Sequence, residues 1–409
     1  MLIEIHVLQN HAPSNLNRDD TGSPKECVFG GYKRGRISSQ CLKRTIRRSD
    51  IFQQALAGDS LATRTRQLPE EIKKAFEADA ALRPLAEEAA KKASGFGNKD
   101  GKEAAQDAKS GKYLTAQSMF LTQRDIDAVV STLRNAAEGK TPKEFQALKA
   151  ADLQKAAVLT GYRPVTVDMA LFGRMTTSEA FRDVEAACQV AHALSTHKVD
   201  HEFDYFTAVD DLQGVSETQE DAGADMIGDV EFNSACYYKY FSIDVEALVD
   251  NLTGAGPYRR KEVPQVELTA ARDLAARTAA ALVKALVMVT PTGKQNSFAA
   301  HQLPSAVLVE VRPGRTPVSY ANAFVEPARA GKGDDLVRAS LHQFGPHIEA
   351  LTTGFNLEAT ARLLLAPEHL DFAISGTERI PDLNHLAARL TEAIKSNEAV
   401  KAAEVIGHG

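Results

Sequence analysis

Residues 29–48 have the sequence FGGYKRGRISSQCLKRTIRR, in which a glycine pair and a basic turn lead through two serines into a short predicted helix. The segment contains no acidic residue, and its positive charges are Lys33, Arg34, Arg36, Lys43, Arg44, Arg47 and Arg48. Backbone near Gly30 and Gly31 can approach a ligand closely because no Cβ intervenes. The helix start at Ser38 and Ser39 presents free amide groups and a positive dipole end, which suit a phosphate. The segment therefore predicts a binding site for an anionic polymer.

The predicted helix has one basic face and one apolar face. Its four cations form two like-charge pairs four residues apart, and each pair costs roughly a few tenths of a kcal/mol. Leu42 and Ile46 fall on the other side, which we expect to be buried. Two interpretations fit a basic face whose cations have no acidic residue near them in the sequence. The helix is solvated and its cations pair with carboxylates from distant parts of the chain, or the face is a site for a phosphodiester backbone.

Composition limits the classes of function. The chain has 409 residues and a formal net charge of −6, so nucleic-acid binding would have to come from concentrated patches. Its cysteines form no C-x-x-C pair, and no Walker A, G-x-S-x-G or dinucleotide motif occurs, so no cofactor, metal or catalytic activity is expected. The sequence has neither a secretory signal nor an apolar run long enough to span a bilayer, which predicts a cytoplasmic protein without a membrane partner.

Hydrophobic periodicity indicates an α+β fold. Leu2 to Leu8 alternates, with Glu4 and His6 opposite the apolar side chains, which predicts a half-buried strand. The other elements predicted are a helix over Met175–His197, a strand over Glu231–Ile243, a helix over Val266–Val289, a strand over Ala306–Val311 and a packed C-terminal helix from Pro381. Residues 91–112 contain four glycines without an apolar period and are predicted to form a mobile loop. His6 and His192, the latter placed in a helix, are expected to be packed or hydrogen-bonded.

The region between Val199 and Tyr238 is acidic and contains no Lys or Arg. Its carboxylates therefore cannot bind phosphate, but apolar side chains lie among them. Asp210 and Asp211 form a carboxylate pair that could hold Mg²⁺ for a metal-assisted cleavage of RNA. Against this, adjacent residues on an extended strand point to opposite faces.

Several sequence blocks resemble the CasC family, the backbone subunit of the type I-E CRISPR surveillance complex Cascade. The longest is NRDDTGSPKECVFGGYKRGRISSQCLKRTIRR at residues 17–48, preceded by IEIHVL at residues 3–8. The others are MALFGRMTTSEA (169–180), AHALSTHKVDHEFDYFTAVDDLQ (191–213), PTGKQNSFAA (291–300) and YANAFVEP (320–327). Their common order and spacing make the resemblance specific.

The resemblance implies an α+β fold with a modified RRM-like, ferredoxin-like palm, an inserted helical fingers domain and a protruding β-hairpin thumb. The boundaries it implies are palm 1–50, 163–198 and 231–409 with the C-terminal helix, fingers 51–162 and thumb 199–230. In the family the thumb separates one base from the stack at regular intervals, and an apolar wedge can do so at a cost of roughly a few kcal/mol. Phe206 and Leu212 are the wedge candidates here.

By motif match, the predicted contacts to guide RNA (crRNA) are Arg18, Lys25, Ser38, Gln40, Lys43, Arg44, Arg47, Gly173, Met175 and Lys294. Alternatives remain open for three positions. Arg18 could form a local salt bridge with the aspartates that follow it. Arg174, between Gly173 and Met175, could be a structural ion-pair donor, and Met175 could be part of the core.

The function that the resemblance implies is noncatalytic. The protein would polymerise head to tail with copies of itself along the crRNA, holding its backbone, and would present the guide for base pairing with target DNA beside the other Cascade subunits. The alternative is a metal-dependent ribonuclease of the same superfamily that uses Asp210 or Asp211.

Overall fold

The computed structural model describes residues 1–157, 161–208, 226–257, 259, 261–332, 334–370 and 372–406. The chain divides into two compact units. The first contains Met1–Leu56, Gln189–Asp244 and Ala276–Gly409. The second contains Ala57–Cys188 and Val245–Ala275.

The described residues form the following elements. The strands are β1 (Leu2–Ser14), β2 (Glu26–Phe29), β3 (Tyr32–Ile37), β4 (Thr63–Thr65), β5 (Met119–Leu121), β6 (Cys188–Val190), β7 (Ala193–Ser195), β8 (Glu202–Ala208), β9 (Met226–Asp244), β10 (Ala306–Arg312), β11 (Ala361–Leu365) and β12 (Glu378–Arg379). The α-helices are α1 (Ser39–Arg47), α2 (Asp50–Ala55), α3 (Leu68–Glu77), α4 (Ala86–Ser94), α5 (Gln123–Ala137), α6 (Pro142–Ala147), α7 (Ala150–Ala157), α8 (Val167–Phe172), α9 (Val245–Thr253), α10 (Gln265–Met288), α11 (Gln295–Phe298), α12 (Leu336–Gly354) and α13 (Leu383–Ile406). Short 3₁₀ turns lie at Arg83–Leu85, Gly95–Gly97, Ala321–Phe324 and Glu368–Leu370.

The first unit is built on a large, mostly antiparallel sheet with the strand order β12-β11-β10-β1-β9-β7-β3-β2. Strand β1 is central, and its Ile5 pairs with Val309 of β10 on one side and Phe241 of β9 on the other. One core cluster contains Leu8 and Leu308 from the sheet and Phe344 from α12. The predicted α+β class and the predicted strands and helices at β9, β10, α10 and α13 are confirmed.

The prediction that β1 is only half-buried is wrong, because Glu4 and His6 are as inaccessible as their apolar neighbours. His6 Nδ1 lies 2.8 Å from the Tyr238 hydroxyl, so its predicted hydrogen bonding is confirmed. The Tyr240 hydroxyl donates to Glu4 at 2.6 Å. In an inner strand, the polar side chains of an alternating pattern can therefore be buried and hydrogen-bonded, although the alternation predicts that this face is exposed to solvent.

The second unit is mainly helical and has its own core, which includes Leu68, Phe76, Phe96, Leu133 and Phe145. The predicted loop at 91–112 is wrong at its start, because α4 continues to Ser94 and a buried 3₁₀ turn follows. A Cβ on Gly95 would lie 2.6 Å from the Gly101 carbonyl oxygen, so this glycine permits close packing. Lys92 is buried and donates to Glu103 at 2.8 Å.

The helix predicted over Met175–His197 is also wrong. This part of the chain forms an irregular segment, with a bridge between Arg174 and Val184, and then the strands β6 and β7. The Thr176 amide donates to Asp183 at 2.7 Å and closes a turn instead of starting a helix. The spacing of alanines and leucine at 187–194 suits short buried strands as well as a helix, so periodicity could not distinguish the two.

Candidate nucleic-acid interface

The glycine pair closes the hairpin between β2 and β3. Phe29 pairs with Tyr32, and Gly30 and Gly31 form a two-residue turn with φ of 60° and 83°, which are the positive values that such turns require. A Cβ on Gly30 would lie 2.2 Å from the Val325 carbonyl oxygen. The protein's own backbone therefore occupies the space that a Cβ of Gly30 would fill, whereas a Cβ on Gly31 would meet no atom within 4 Å, and a close ligand approach near the glycine pair stays a prediction.

Arg34 of β3 serves the fold. Its side chain is fully buried, and its guanidinium donates to the carbonyls of Ser195 at 3.2 Å, Phe324 at 2.7 Å and Val325 at 3.1 Å. The hairpin and the YANAFVEP block thus contact each other through Arg34, which removes one of the seven predicted cations from the exposed surface. Nothing in the local sequence distinguishes Arg34 from its basic neighbours.

Helix α1 has the two faces that the sequence predicts. Leu42 and Ile46 are buried, whereas Gln40 and Arg44 are exposed and Lys43 is half-buried. Among the described residues no carboxylate pairs with Lys43 or Arg44 within 4 Å. Arg47, in the last turn, is half-exposed. Two adjacent cations are therefore left for a ligand.

Ser38 is the N-cap of α1. Its hydroxyl accepts a hydrogen bond from the Cys41 amide at 3.2 Å, and its own amide donates to Asn17 Oδ1 at 2.8 Å. The side chain is buried. Ser38 thus orients the helix start, and a direct contact with RNA stays a prediction.

Residues 17–25 bring two predicted contacts, Arg18 and Lys25, to the same unit as α1. The Lys25 amide donates to the Asn17 carbonyl, and its carbonyl accepts from the Arg36 amide, both at 2.8 Å, which holds Lys25 beside β3. Arg18 is exposed, and within the described part of the chain no carboxylate lies within 4 Å of it, so the local salt bridge is not formed. Asp19 instead accepts from the amides of Thr21 and Ser23.

Gly293 lies against this segment. A Cβ there would be 2.4 Å from the Leu16 carbonyl oxygen, and Gly293 and Arg18 line one depression of about 490 Å³. The next residue, Lys294, has a left-handed backbone with φ of 50°. The fold therefore brings the Gly293–Lys294 turn close to Arg18, although the two are far apart in sequence.

His192 lies beside the start of α1 and near the cations Arg36 and Lys25, a position that the sequence did not predict, although its predicted hydrogen bonding is confirmed. It lies between β6 and β7, outside any helix, and its Nδ1 accepts from the Ser39 amide at 3.2 Å and lies 3.4 Å from Arg36 Nη1. Partial burial and the nearby cations Arg36 and Lys25 lower the pKa of His192. Its distance from α1 in sequence concealed this contact.

In the second unit, Gly173 and Met175 flank a structural arginine. Gly173 has φ of 76°, and a Cβ would lie 2.7 Å from the Val184 carbonyl oxygen. Arg174 is buried and pairs with Asp125 at 2.8 Å, so the alternative of a structural ion pair is confirmed. Met175 is 93% exposed, so the alternative that it is part of the core is wrong.

Strands β8 and β9 form an antiparallel hairpin with exposed aromatic residues. Phe206 pairs with Gly228, and a Cβ on that glycine would lie 2.7 Å from the phenyl ring, so the ring covers the opposite strand. Phe203 and Tyr205 are more exposed, at 53% and 76%, than Phe206 at 40%. Leu212, Asp210 and Asp211 lie outside the described residues.

One group of side chains in the described ranges has the spacing of a metal site. Potential ligand atoms of Glu4, His6 and Glu310 lie within 4.8 Å of one another. Arg312 and Arg362 donate to Glu310 at 2.8 and 2.7 Å. Burial opposes ionisation of Glu310, but His6 and Arg312 outweigh it and lower the pKa of this carboxyl. We interpret the group as a buried ion-pair network, because arginines already supply the positive charge.

Fold and surface together define a two-unit α/β protein with a basic helix face and an exposed hairpin, an arrangement suited to a nucleic-acid backbone. Residues 3–390 match the family described as CT1975-like protein, and the chain belongs to this family. The chain also resembles a solved structure titled "CRISPR RNA-guided surveillance complex, pre-nicking", with 28% identity and a TM-score of 0.74 over 96% of this chain and 100% of the other.

A second structure, titled "CRISPR RNA-guided surveillance complex", shares the fold, with 24% identity and a TM-score of 0.66 over 96% of this chain and 100% of the other. The recognition of a CRISPR backbone-type subunit from the sequence blocks is thereby confirmed. A comparison with curated proteins gave no match. None of the helices in the described ranges is long and apolar enough to cross a membrane.

Proposed function

We propose that this protein is a crRNA-binding backbone subunit of a type I-E CRISPR surveillance complex. The observation that carries the proposal is the basic face of α1, where Lys43 and Arg44 have no carboxylate within 4 Å among the described residues. An array of cations without counterions favours a polyanion over an isolated anion. The similarity to a subunit of an RNA-guided complex supports RNA as that polyanion.

In this proposal the first unit supplies an RRM-like palm, the second unit supplies most of the fingers, and the β8–β9 hairpin is the base of a thumb. Lys25, Lys43 and Arg44 hold the sugar-phosphate backbone without selecting sequence. Copies associate head to tail along the crRNA, and base pairing with target DNA provides the selection. The exposed Phe203 and Tyr205 join Phe206 as candidates for the base-displacing wedge.

We further propose that the protein is noncatalytic and works in the cytoplasm with the other subunits of the complex. The role of this chain would be to hold the guide RNA, with its copies at a fixed spacing along it. The alternative ribonuclease would depend on Asp210 or Asp211, and no observation on the described residues favours it.

The experiment is coexpression with a CRISPR array and the other complex subunits, followed by measurement of the RNA that copurifies. We expect a discrete guide-sized RNA with the unaltered protein and a marked loss with Lys43→Ala/Arg44→Ala. With purified chain and single-stranded RNA, the double variant should lower the slope of log affinity against log salt by roughly 1.4, about 0.7 for each phosphate contact. The loss should be equal across RNA sequences.

A control of equal formal charge is Arg338→Ala/Arg389→Ala, which removes two cations that pair with carboxylates on or beside α12 and α13. Equal losses in both double variants would mean that only net charge matters. Absence of RNA from the unaltered protein would contradict the proposal. Shortened RNA fragments that disappear in Asp211→Ala would favour the ribonuclease instead.

A further inference from the structure

His192 lies beside the cations Lys25 and Arg36, and its two neighbours in the chain pair with other strands. The amide of the preceding residue, Ala191, donates to the Tyr240 carbonyl at 3.0 Å, and the following residue, Ala193, pairs with Ile37 of β3. The backbone on both sides of the histidine is therefore tied to neighbouring strands. A side chain placed in this way loses little additional freedom when it binds a ligand.

The hydrogen bonds of the ring fix its tautomer. A backbone N–H can only donate, so the bond from the Ser39 amide to Nδ1 requires that Nδ1 be unprotonated. Arg36, which faces the same nitrogen at 3.4 Å, also can only donate. The neutral ring consequently carries its proton on Nε2.

The surroundings favour the neutral ring. Partial burial is the largest cause that lowers the pKa of His192, and the charged groups that face it, Arg36 from β3 and Lys25 from the segment before β2, lower this pKa further. Protonation of Nδ1 would also make its N–H face the backbone N–H of Ser39, so that two donors would oppose each other. Over the described residues, Nε2 has no hydrogen-bond partner in the protein.

We propose that His192 is an additional RNA-binding residue, which donates a hydrogen bond from Nε2–H to an oxygen of the RNA backbone. The observation behind it is an oriented donor, without a partner in the described protein, beside Lys25 and Arg36. The acceptor is a phosphate oxygen or a ribose 2′-hydroxyl. This inference rests on the proposed function, because it names a further contact of the same RNA site.

In a purely structural role, only Nδ1 would be used, and its hydrogen bond would link the β6–β7 connection to the start of α1. Two substitutions separate these roles. His192→Asn keeps an acceptor for the Ser39 amide at the δ position, Oδ1 in place of Nδ1, but lacks the distal donor Nε2–H. His192→Gln places an amide N–H near the position of Nε2 and loses the Nδ1 acceptor.

The test measures binding of the full chain to a labelled single-stranded RNA and, separately, to DNA of the same sequence, together with urea unfolding. We expect His192→Asn to weaken RNA binding about three- to tenfold, the usual effect of one hydrogen bond, with an unchanged unfolding midpoint. His192→Gln should bind within about twofold of the unaltered protein and should unfold at a lower urea concentration. The control His369→Asn, which alters another exposed histidine of the first unit, should change neither quantity.

An equal loss on RNA and DNA would support a phosphate acceptor, whereas a loss on RNA alone would support the 2′-hydroxyl. His192→Asn with unaltered RNA affinity would overturn the inference, as would an Nδ1–H tautomer in ¹H–¹⁵N spectra at neutral pH. If both variants lose RNA affinity in proportion to their loss of stability, His192 has only the structural role and the inference is wrong. If the unaltered protein does not bind RNA, the proposed function itself fails, which is a separate result.

Discussion

The two halves of the basic segment, the β2–β3 hairpin and helix α1, have similar charge in the sequence but different roles in the structure. In the hairpin, Arg34 is buried against three backbone carbonyls, and Lys33 pairs with Glu26 at 3.0 Å. In the helix, Lys43 and Arg44 have no such partners among the described residues. A run of cations therefore does not mark a single surface. Strand geometry turns some of its side chains into the interior, whereas a helix keeps its basic face outward.

This contrast predicts that the same substitution, arginine to alanine, has opposite consequences in the two halves. We expect Arg34→Ala to lower the free energy of unfolding by roughly 3–5 kcal/mol, because it leaves several buried carbonyls without donors and removes a buried side chain. Arg44→Ala should change it by less than about 0.5 kcal/mol, as is usual for exposed positions. Urea denaturation of the two variants measures the difference.

RNA binding is the complementary measurement for this pair. Arg44→Ala should weaken it with the fold intact, whereas any loss in Arg34→Ala should follow the unfolded fraction. Arg34→Ala with unchanged stability would contradict the structural role assigned to this arginine. It would also restore Arg34 to the candidate RNA contacts.

The turn of the hairpin gives a second comparison, between two adjacent glycines. Both have positive φ, but only Gly30 faces a backbone atom, the Val325 carbonyl oxygen. We expect Gly30→Ala to cost about 2–4 kcal/mol of stability, since it combines backbone strain with a steric clash. Gly31→Ala, which meets no atom within 4 Å, should cost only the strain of about 1 kcal/mol. Equal costs in thermal or urea unfolding would show that the contact with Val325 contributes nothing.

The sequence predicts much of the fold where periodicity and length agree. In the long helix α10 and the strands β9 and β10, the hydrophobic periodicity is strong, and the length of each segment agrees with only one type of secondary structure. Periodicity fails at residues 175–197, where apolar spacing fits a helix while the chain forms an irregular turn and short strands. The assignment there is decided by pairing with β3 and β9, which are remote in sequence.

For the candidate site, local sequence identifies the cations but not their environment. Lys43 and Arg44 are predictable, since Leu42 and Ile46 orient the helix. Arg34 is not, because the carbonyls that surround it come from residues 195 and 324–325. The position of His192 was not predicted for the same reason, since its partners lie more than 150 residues away in the chain.

The smallest effect that we predict concerns Ser38, at the junction of the two halves. Motif resemblance assigns it to RNA, whereas the structure uses its hydroxyl to cap α1 through the Cys41 amide. Ser38→Ala should therefore lower stability by about 1 kcal/mol, the usual cost of losing a serine cap, and Ser38→Asp should restore it.

Since an aspartate would repel phosphate, the two substitutions at Ser38 separate a capping role from an RNA-binding role. If RNA affinity is normal in the alanine variant and reduced in the stable aspartate variant, the hydroxyl serves as a cap beside the RNA, and the exposed cations of the helix supply the binding. A loss of RNA affinity in Ser38→Ala at full stability would instead assign the hydroxyl to the ligand.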